Sequence, residues 1–480
     1  MANQDFSIVI LAAGKSTRFK SERSKLVHTL AGRPLGDYVV SAALAAGPES
    51  VLMVVGHNAA SVRETLARPG LTFVEQKEQR GTGHALMVAR PQLEKCKGSA
   101  VVVIVGDVPL LRTATLLELV AAHRKARASA SVLTMRPDSP SGYGRIVRTR
   151  GGAVRAIVEE KLCSSAQRRI GEVSSGILCF SRIELLKHLD KLSDKNAQKE
   201  YLLTDLVSIL NRHHKKVVAF PIADAREVLG VNDRVELAQV ERILRMQKAE
   251  ALMRGGVTIV DPQSTYIDSI VEVGTDTVIE PGVSLLGNTR IGGYCTIRVH
   301  STIADSVLGD RVLVRPNTFV TGCVIGSDVI LGPFAHLRDG AVIADGARIG
   351  NFVEVKKSRV GRGTRAWHLT YLGDATLGEQ VNIGAGTVTC NYDGEKKNQT
   401  EIEDGVFIGS GTMLVAPVKI GKGSYVAAGS AITADVPAES LAVGRARQVN
   451  KEGWVRRHKE QSTQPRQEQS LPKKNGKPAR

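Results

Sequence analysis

Apolar residues recur at every sixth position from Ile279 to Ile432, a period that belongs to neither an α-helix nor an ordinary strand. Ile279, Leu285, Ile291, Ile297 and Ile303 keep one phase, and Leu308, Val314 and Val320 a second. Ile325, Leu331, Leu337, Ile343, Ile349 and Val355 keep a third. After a weaker stretch the beat returns at Ile402, Ile408, Leu414, Ile420, Val426 and Ile432, and glycine often follows the apolar residue, as at Gly292, Gly309, Gly350 and Gly409. This pattern predicts a parallel β-helix, in which each hexad forms one flat side of a coil and stacked coils bury the sixth-position column. The irregular run from Cys390 to Glu401 suits no coil wall and is expected to protrude as a loop.

The first half follows another rule. Ser7–Leu11, Val51–Val55, Val101–Val105 and Val132–Thr134 are short apolar runs separated by helical patterns. Such alternation predicts a mostly parallel sheet covered on both faces, with ligands at the carboxyl ends of its strands. Asp233 with Glu236 three residues later is a capping-box signature, and Leu237, Val240, Ile243 and Leu244 continue a helix expected to stop at Gly255–Gly256. The expected divisions are an α/β domain over 1–231, a linker helix over 232–254, the β-helix over 255–454 and a basic tail over 455–480. That tail, rich in Lys, Arg, Gln and Pro, is expected to be disordered.

Composition changes this picture in two places. Six cysteines lie scattered without metal-ligand spacing and no secretory segment precedes Ser7–Leu11, so a cytoplasmic protein is expected. A net charge of +17 favours anionic partners, either nucleic acid or small anions such as nucleotides, phosphosugars and coenzyme A. A nucleic-acid scaffold would interleave its cations with aromatics, yet aromatics make up only 4% of the chain and the basic run sits in the tail. That reading is the weakest of those considered.

Candidate chemistry gathers at the strand ends. Gly14-Lys15-Ser16-Thr17 lacks the glycine of a P-loop, since Val9 stands in its place. What remains is a small-residue turn, Leu11-Ala12-Ala13-Gly14, with Lys15, Arg18 and Lys25 near it: either an ordinary turn or a place where backbone N–H groups meet phosphates. Asp107, just past a buried strand, is a helix cap or, beside a phosphate loop, a Mg²⁺ ligand, with Asn232 as a second oxygen donor. Gln76 and Gly81-Thr82-Gly83 carry groups suited to a base edge. In the hexad region Arg338 and Lys356 each follow an in-facing residue one coil apart, so they should stack at about 4.8 Å, splayed into water or sharing an anion. His368 lies in a bulky segment with Tyr371, Asn382, Asn391 and Tyr392 nearby, and both a structural and a catalytic role remain open for it.

Taken together, Leu11–Arg18, Lys25, Gln76, Gly81–Ala85, Gly106–Pro109, Gly142–Arg145 and Gly230–Asn232 resemble the sugar-phosphate nucleotidyltransferases. Joined to the hexads, the chain up to about Trp454 resembles the bacterial bifunctional N-acetylglucosamine-1-phosphate uridylyltransferase and glucosamine-1-phosphate acetyltransferase. The resemblance implies a Rossmann-like nucleotidyltransferase domain, a left-handed β-helix, and a homotrimer with sites between subunits. It implies attack of a sugar-1-phosphate on UTP with release of pyrophosphate, making UDP-N-acetylglucosamine for peptidoglycan and lipopolysaccharide precursors. Asp107 and Asn232 would hold Mg²⁺, and Arg18 and Lys25 would offset phosphate charge. Leu11, Ala12, Ala13, Gly14, Gln76, Gly81 and Thr82 would hold the uridine, with Gly144, Glu159 and Ser174 at the sugar. In the β-helix, His368 would be the general base for acetyl transfer from acetyl-CoA to glucosamine-1-phosphate. Arg338, Lys356, Tyr371 and Asn382 would hold that substrate on the same outer wall as His368, and Ala385, Asn391, Tyr392, Ser410, Ala428 and Arg445 would line the coenzyme A groove. Three positions depart from the family pattern: Ser16 replaces the usual Gly, Ser24 the usual Pro and Ser174 the usual Asn. The competing enzyme reading keeps only the nucleotidyltransferase and makes the β-helix a passive module, which would not require His368 or the Arg338–Lys356 column.

Overall fold

A computed structural model describes residues 4–463. Its first half is built on a sheet with the strand order Val217–Pro221, Ala130–Met135, Val173–Ser181, Ala100–Val105, Gln4–Ala12, Pro48–Val55, Leu71–Glu75. The four runs expected to be strands all lie in it. Gln4–Ala12 is unbroken in its apolar character from Ile8 to Ala12 because it is covered twice: Ile8 and Ile10 pack into one core layer and Val9 into the other. All neighbours along this path run parallel except Val173–Ser181, which is antiparallel to both of its partners. That strand begins Val-Ser-Ser-Gly, a composition with little strand character, and only its position between two apolar strands makes it one.

The linking helix spans Arg234–Arg254. The Asp233 carboxylate accepts from the N–H groups of Val235 and Glu236, both at 2.9 Å. The return half of the expected capping box differs, because Glu236 accepts from the N–H of Asn232, at 2.6 Å, rather than from that of Asp233. Beyond the helix the first coil docks back on the α/β domain. Ser269 N–H donates to the Ala31 carbonyl at 3.0 Å, and Tyr38 Oη lies 3.1 Å from Ser269 Oγ. Gly32, at φ +83°, makes this seam possible, since a Cβ there would stand 2.6 Å from Asp268 Cγ.

From Thr258 the chain coils as a left-handed parallel β-helix with three walls. The first wall carries Ile279, Ile297, Val314, Leu331 and Ile349, the second Leu285, Ile303, Val320, Leu337 and Val355, and the third Ile291, Leu308, Ile325, Ile343 and Val360, all buried in one continuous core. The phase slips have a single cause. From Ile303 to Leu308, Val320 to Ile325, Val355 to Val360 and Leu372 to Leu377 the chain takes five residues instead of six, and each step turns the corner from the second wall to the third. The loop between Cys390 and Thr400 leaves at this corner too. In the weaker stretch two of the in-facing positions are Ala366 and Thr389, too small or too polar to carry the beat.

The tail differs from expectation. Trp454–Thr463 is an exposed α-helix with the Trp454 ring stacked on His458 at 4.8 Å, so the expected disorder fails over 455–463. Arg, Lys, Glu and Gln are good helix formers even where no core receives them. The remainder of that tail, 464–480, lies outside the described residues. Among the described residues no helix is long and apolar enough to cross a membrane.

Candidate active sites

The first site opens where the Gln4–Ala12 and Ala100–Val105 strands end side by side, tied by Gly106 N–H donating to the Leu11 carbonyl at 2.9 Å. A cleft of about 500 Å³ there is lined by Leu11, Ala12, Ala13, Gly14, Lys25, Gln76, Gly81, Thr82 and Asp107. Arg18 and Asn232 border an adjoining recess with Gly14 and Lys25. Gly144, Glu159 and Ser174 form a separate group. Ser174 N–H donates to the Gly144 carbonyl at 2.8 Å, and a Cβ on Gly144 would stand 3.7 Å from the Glu159 carboxylate. Thr204, missed in the sequence, donates its hydroxyl to Glu159 at 2.9 Å. Burial raises the Glu159 carboxyl above its ordinary value, against the lowering effect of that hydrogen bond.

Lys25 holds the first site together electrostatically. Its Nζ donates to Asp107 Oδ2 at 2.5 Å and to Asn232 Oδ1 at 3.1 Å, so both oxygens that the sequence offers to a metal accept from one cation here. One carboxylate and one carboxamide converging on a cation suit a hard dication that takes its other ligands from phosphates and water. Among the described residues no cluster of three or more His, Cys, Asp or Glu side chains forms a richer metal site.

The three departures have local explanations. Ser16 sits in the left-handed region at φ 53°, where glycine carries no Cβ penalty. Ser24, at φ −58° and ψ 139°, has the backbone that proline prefers, and its hydroxyl accepts from Leu26 N–H at 3.4 Å. Ser174 is buried, and its hydroxyl accepts from Gly176 N–H at 3.2 Å, so it is engaged with its own strand.

The β-helix distributes its candidates over two corners. Asn351 pairs in register with His368, and the same corner passes through Ala385, Ser410 and Ala428 on the following coils, with Arg445 beside Gly429. Asn382 lies on the first wall, three residues before Ala385. The second wall ends at the other corner, where Arg338 pairs with Lys356 and Lys356 with Gly373, two residues past Tyr371. Asn391 and Tyr392 follow there, Asn391 donating to Asp374 Oδ2 at 2.6 Å and to the Tyr371 hydroxyl at 3.4 Å. The stacking of Arg338 on Lys356 is present, but the expectation of His368 on the same wall is not met within one chain. The wall between the two corners separates them, because His368 precedes the corner residue Leu369 and Lys356 follows the corner residue Phe352 by four positions.

Local partners give these groups definite roles in hydrogen bonding. His368 Nδ1 lies 2.7 Å from Asn351 Oδ1. A carboxamide oxygen only accepts, so Nδ1 carries the proton and Nε2 keeps its lone pair. Between the two cations stands Asp339, whose Oδ2 accepts from Arg338 at 2.8 Å and lies 3.9 Å from Lys356 Nζ. Glu354 accepts from the other side of the Arg338 guanidinium at 2.7 and 2.9 Å. At the His368 corner, Phe334, Phe352 and Leu369 form an exposed apolar strip, with the two phenyl rings stacked at 5.2 Å.

Similarity to known proteins accounts for both halves. Residues 8–255 match the MobA-like NTP transferase domain family, and residues 322–357 and 399–434 match the bacterial transferase hexapeptide family. A bifunctional protein GlmU from Koribacter versatilis is 50% identical over 457 residues, covering 94% of this chain and 97% of its own length. The GlmU protein of Trichlorobacter lovleyi is 48% identical over 93% of this chain and 97% of its own, and that of Pelobacter propionicus 46% identical over 96% and 100%. This chain therefore belongs to the GlmU family of bifunctional enzymes, in which a nucleotidyltransferase domain and a hexapeptide acyltransferase domain share one polypeptide.

Proposed function

We propose that the chain makes UDP-N-acetylglucosamine in two steps at two separate sites, divided as 1–231, the linker 232–254 and 255–454. In the β-helix, the amine of glucosamine-1-phosphate attacks the thioester carbonyl of acetyl-CoA; the C–N bond forms, the C–S bond breaks, and coenzyme A leaves. His368 Nε2 takes the amine proton, while Asn351 fixes the ring. Arg338 and Lys356 hold the phosphate, which takes over the position now served by Asp339, and Tyr371 and Asn382 hold the sugar. Ala385, Asn391, Tyr392, Ser410, Ala428 and Arg445 form the coenzyme A groove.

In the α/β domain a phosphate oxygen of N-acetylglucosamine-1-phosphate attacks the α-phosphorus of UTP and pyrophosphate leaves. Leu11 to Gly14, Gln76, Gly81 and Thr82 hold the uridine, and Gly144, Glu159 and Ser174 meet the sugar. Asp107 and Asn232 hold Mg²⁺, which when bound neutralises charge on the reacting phosphates. Lys25 and Arg18 do the same from the protein side, with no covalent intermediate required. UTP and acetyl-CoA as substrates place the enzyme in the cytoplasm.

The observation that carries the acetyl-transfer reading is the corner column in which an Asn351-anchored His368 heads Ala385, Ser410 and Ala428. Since its phosphate-binding cations lie at the other corner, we propose a homotrimer in which the His368 corner of one subunit faces the Arg338–Lys356 corner of the next. Replacing His368 by Ala and Asp107 by Ala separately, and assaying both half-reactions, tests the assignment. Each change should cost its own reaction about 10²–10⁴-fold and spare the other; joint loss from either variant would refute two independent sites.

A further inference from the structure

Gln76 is pinned before its side chain is considered. Its N–H donates to the Val55 carbonyl at 2.7 Å, and its own carbonyl accepts from Gln79 Nε2 at 3.0 Å. The side chain is buried, with only 3% of the residue exposed, yet it borders the front cleft together with Gly81. Its Nε2 donates to the Gly81 carbonyl at 3.2 Å and lies 3.0 Å from Nδ1 of His84. A carbonyl accepts only, so the NH₂ end of the amide must face Gly81. His84 Nδ1 must then accept the second N–H, which puts the ring proton on Nε2. Both amide hydrogens are thereby used, while Gln76 Oε1 receives no protein donor among the described residues and is not sealed from the cleft.

We propose that His84 is a positioning residue for base selection. By accepting through Nδ1 it joins the Gly81 carbonyl in holding the Gln76 carboxamide in one orientation, in which a lone acceptor, Oε1, is offered to the nucleobase. Uracil presents an N3–H donor to such an acceptor, whereas cytosine presents an unprotonated N3, and two acceptors facing each other reject it. With His84 gone the Gly81 carbonyl is the only remaining anchor of the amide, so turning the carboxamide over sacrifices one hydrogen bond instead of two and presents an N–H to cytosine N3. The tilted Tyr201 ring, 6.2 Å from the His84 ring, packs beside it without competing for Nδ1. This inference rests on the uridine reading of the cleft.

The test measures kcat/KM for UTP and CTP with the full-length chain and Mg²⁺, using wild type, H84L, H84N and Q76A. H84L should lower the UTP-over-CTP ratio by about tenfold, the size of one hydrogen bond between neutral groups, through a higher KM for UTP with kcat nearly unchanged. H84N should restore most of the ratio, because asparagine Oδ1 falls where Nδ1 stood. If H84L does not fold, as thermal unfolding would reveal, H84Q replaces it, since its acceptor falls at the Nε2 position and the same loss is expected. An unchanged ratio in H84L or H84Q, or H84N no better than either, overturns the proposal alone. A wild type indifferent to the base, or Q76A with the wild-type ratio, overturns the uridine reading beneath it.

Discussion

The two sites differ in how much of each a single chain supplies. The front cleft gathers its candidates within one chain: Lys25, Asp107 and Asn232 come from distant parts of the sequence, yet the sheet brings them within hydrogen-bonding distance. The β-helix leaves its candidates at two corners, with the second wall between His368 and Lys356. A doubly wound sheet converges its strand ends on one crevice, whereas a stacked coil sets residues in parallel columns that never meet. In the proposed trimer the second site closes when one column is pressed against another chain.

Disrupting the subunit contact of the proposed trimer should separate the two activities most strongly. Phe352→Asp places a charge in the exposed Phe334–Phe352–Leu369 strip, and aspartate tolerates the left-handed backbone found there at φ 55°. Acetyl transfer should fall by about 100-fold, as for loss of a central contact residue, with a smaller species in sedimentation and uridylyl transfer intact. Mixing offers a constructive counterpart: His368→Ala and Arg338→Ala chains, each inactive in acetyl transfer, should regain about a quarter of wild-type activity when reassembled together at random, because each site of the proposed trimer draws on two subunits. No recovery would mean that one chain supplies the whole site.

Two finer effects belong to the front half. The raised Glu159 carboxyl protonates at a higher pH than an ordinary glutamate, so its acceptor form is lost early on acidification. The KM for the sugar phosphate should rise as pH falls, by at most about tenfold per pH unit, and Glu159→Gln should flatten that profile. Stability moves the opposite way: with the folded-state value raised, the contribution of this group is fully present below the unfolded value and is lost as pH rises through the folded one. Smallest of all, Ser16→Gly should stabilise the α/β domain by about 0.5–1 kcal/mol by relieving its left-handed backbone, seen as a higher midpoint for that domain in thermal unfolding. A fall in the midpoint would count against strain at Ser16.

These sites were unequally legible in the sequence. Ile and Leu at every sixth position announced the β-helix because a solenoid core is one-dimensional, and Gly106-Asp107 pointed to the cleft that Asp107 lines because it follows a buried strand. Ala366 and Thr389 hid two core positions, and Val173–Ser181 hid an antiparallel strand, since tertiary burial and not local propensity put them there. Asn351 escaped for a geometric reason. It lies 17 residues before His368, in a coil shortened at its corner, and a search at the 18-residue step of Arg338 and Lys356 lands on Gly350 instead. The partition of the acetyl-transfer residues between corners escaped for the same reason, because it depends on where each coil turns.

The missing methyl group at Gly32 has a consequence for traffic between the two workstations. With Asp268 packed against that bare α-carbon, the first coil is docked on the α/β domain, and His368 stands six coils further along, about 29 Å at ~4.8 Å per coil. On the proposed assignment the acetylated intermediate would cross that separation through solvent, and its free concentration would set how well the two reactions keep pace.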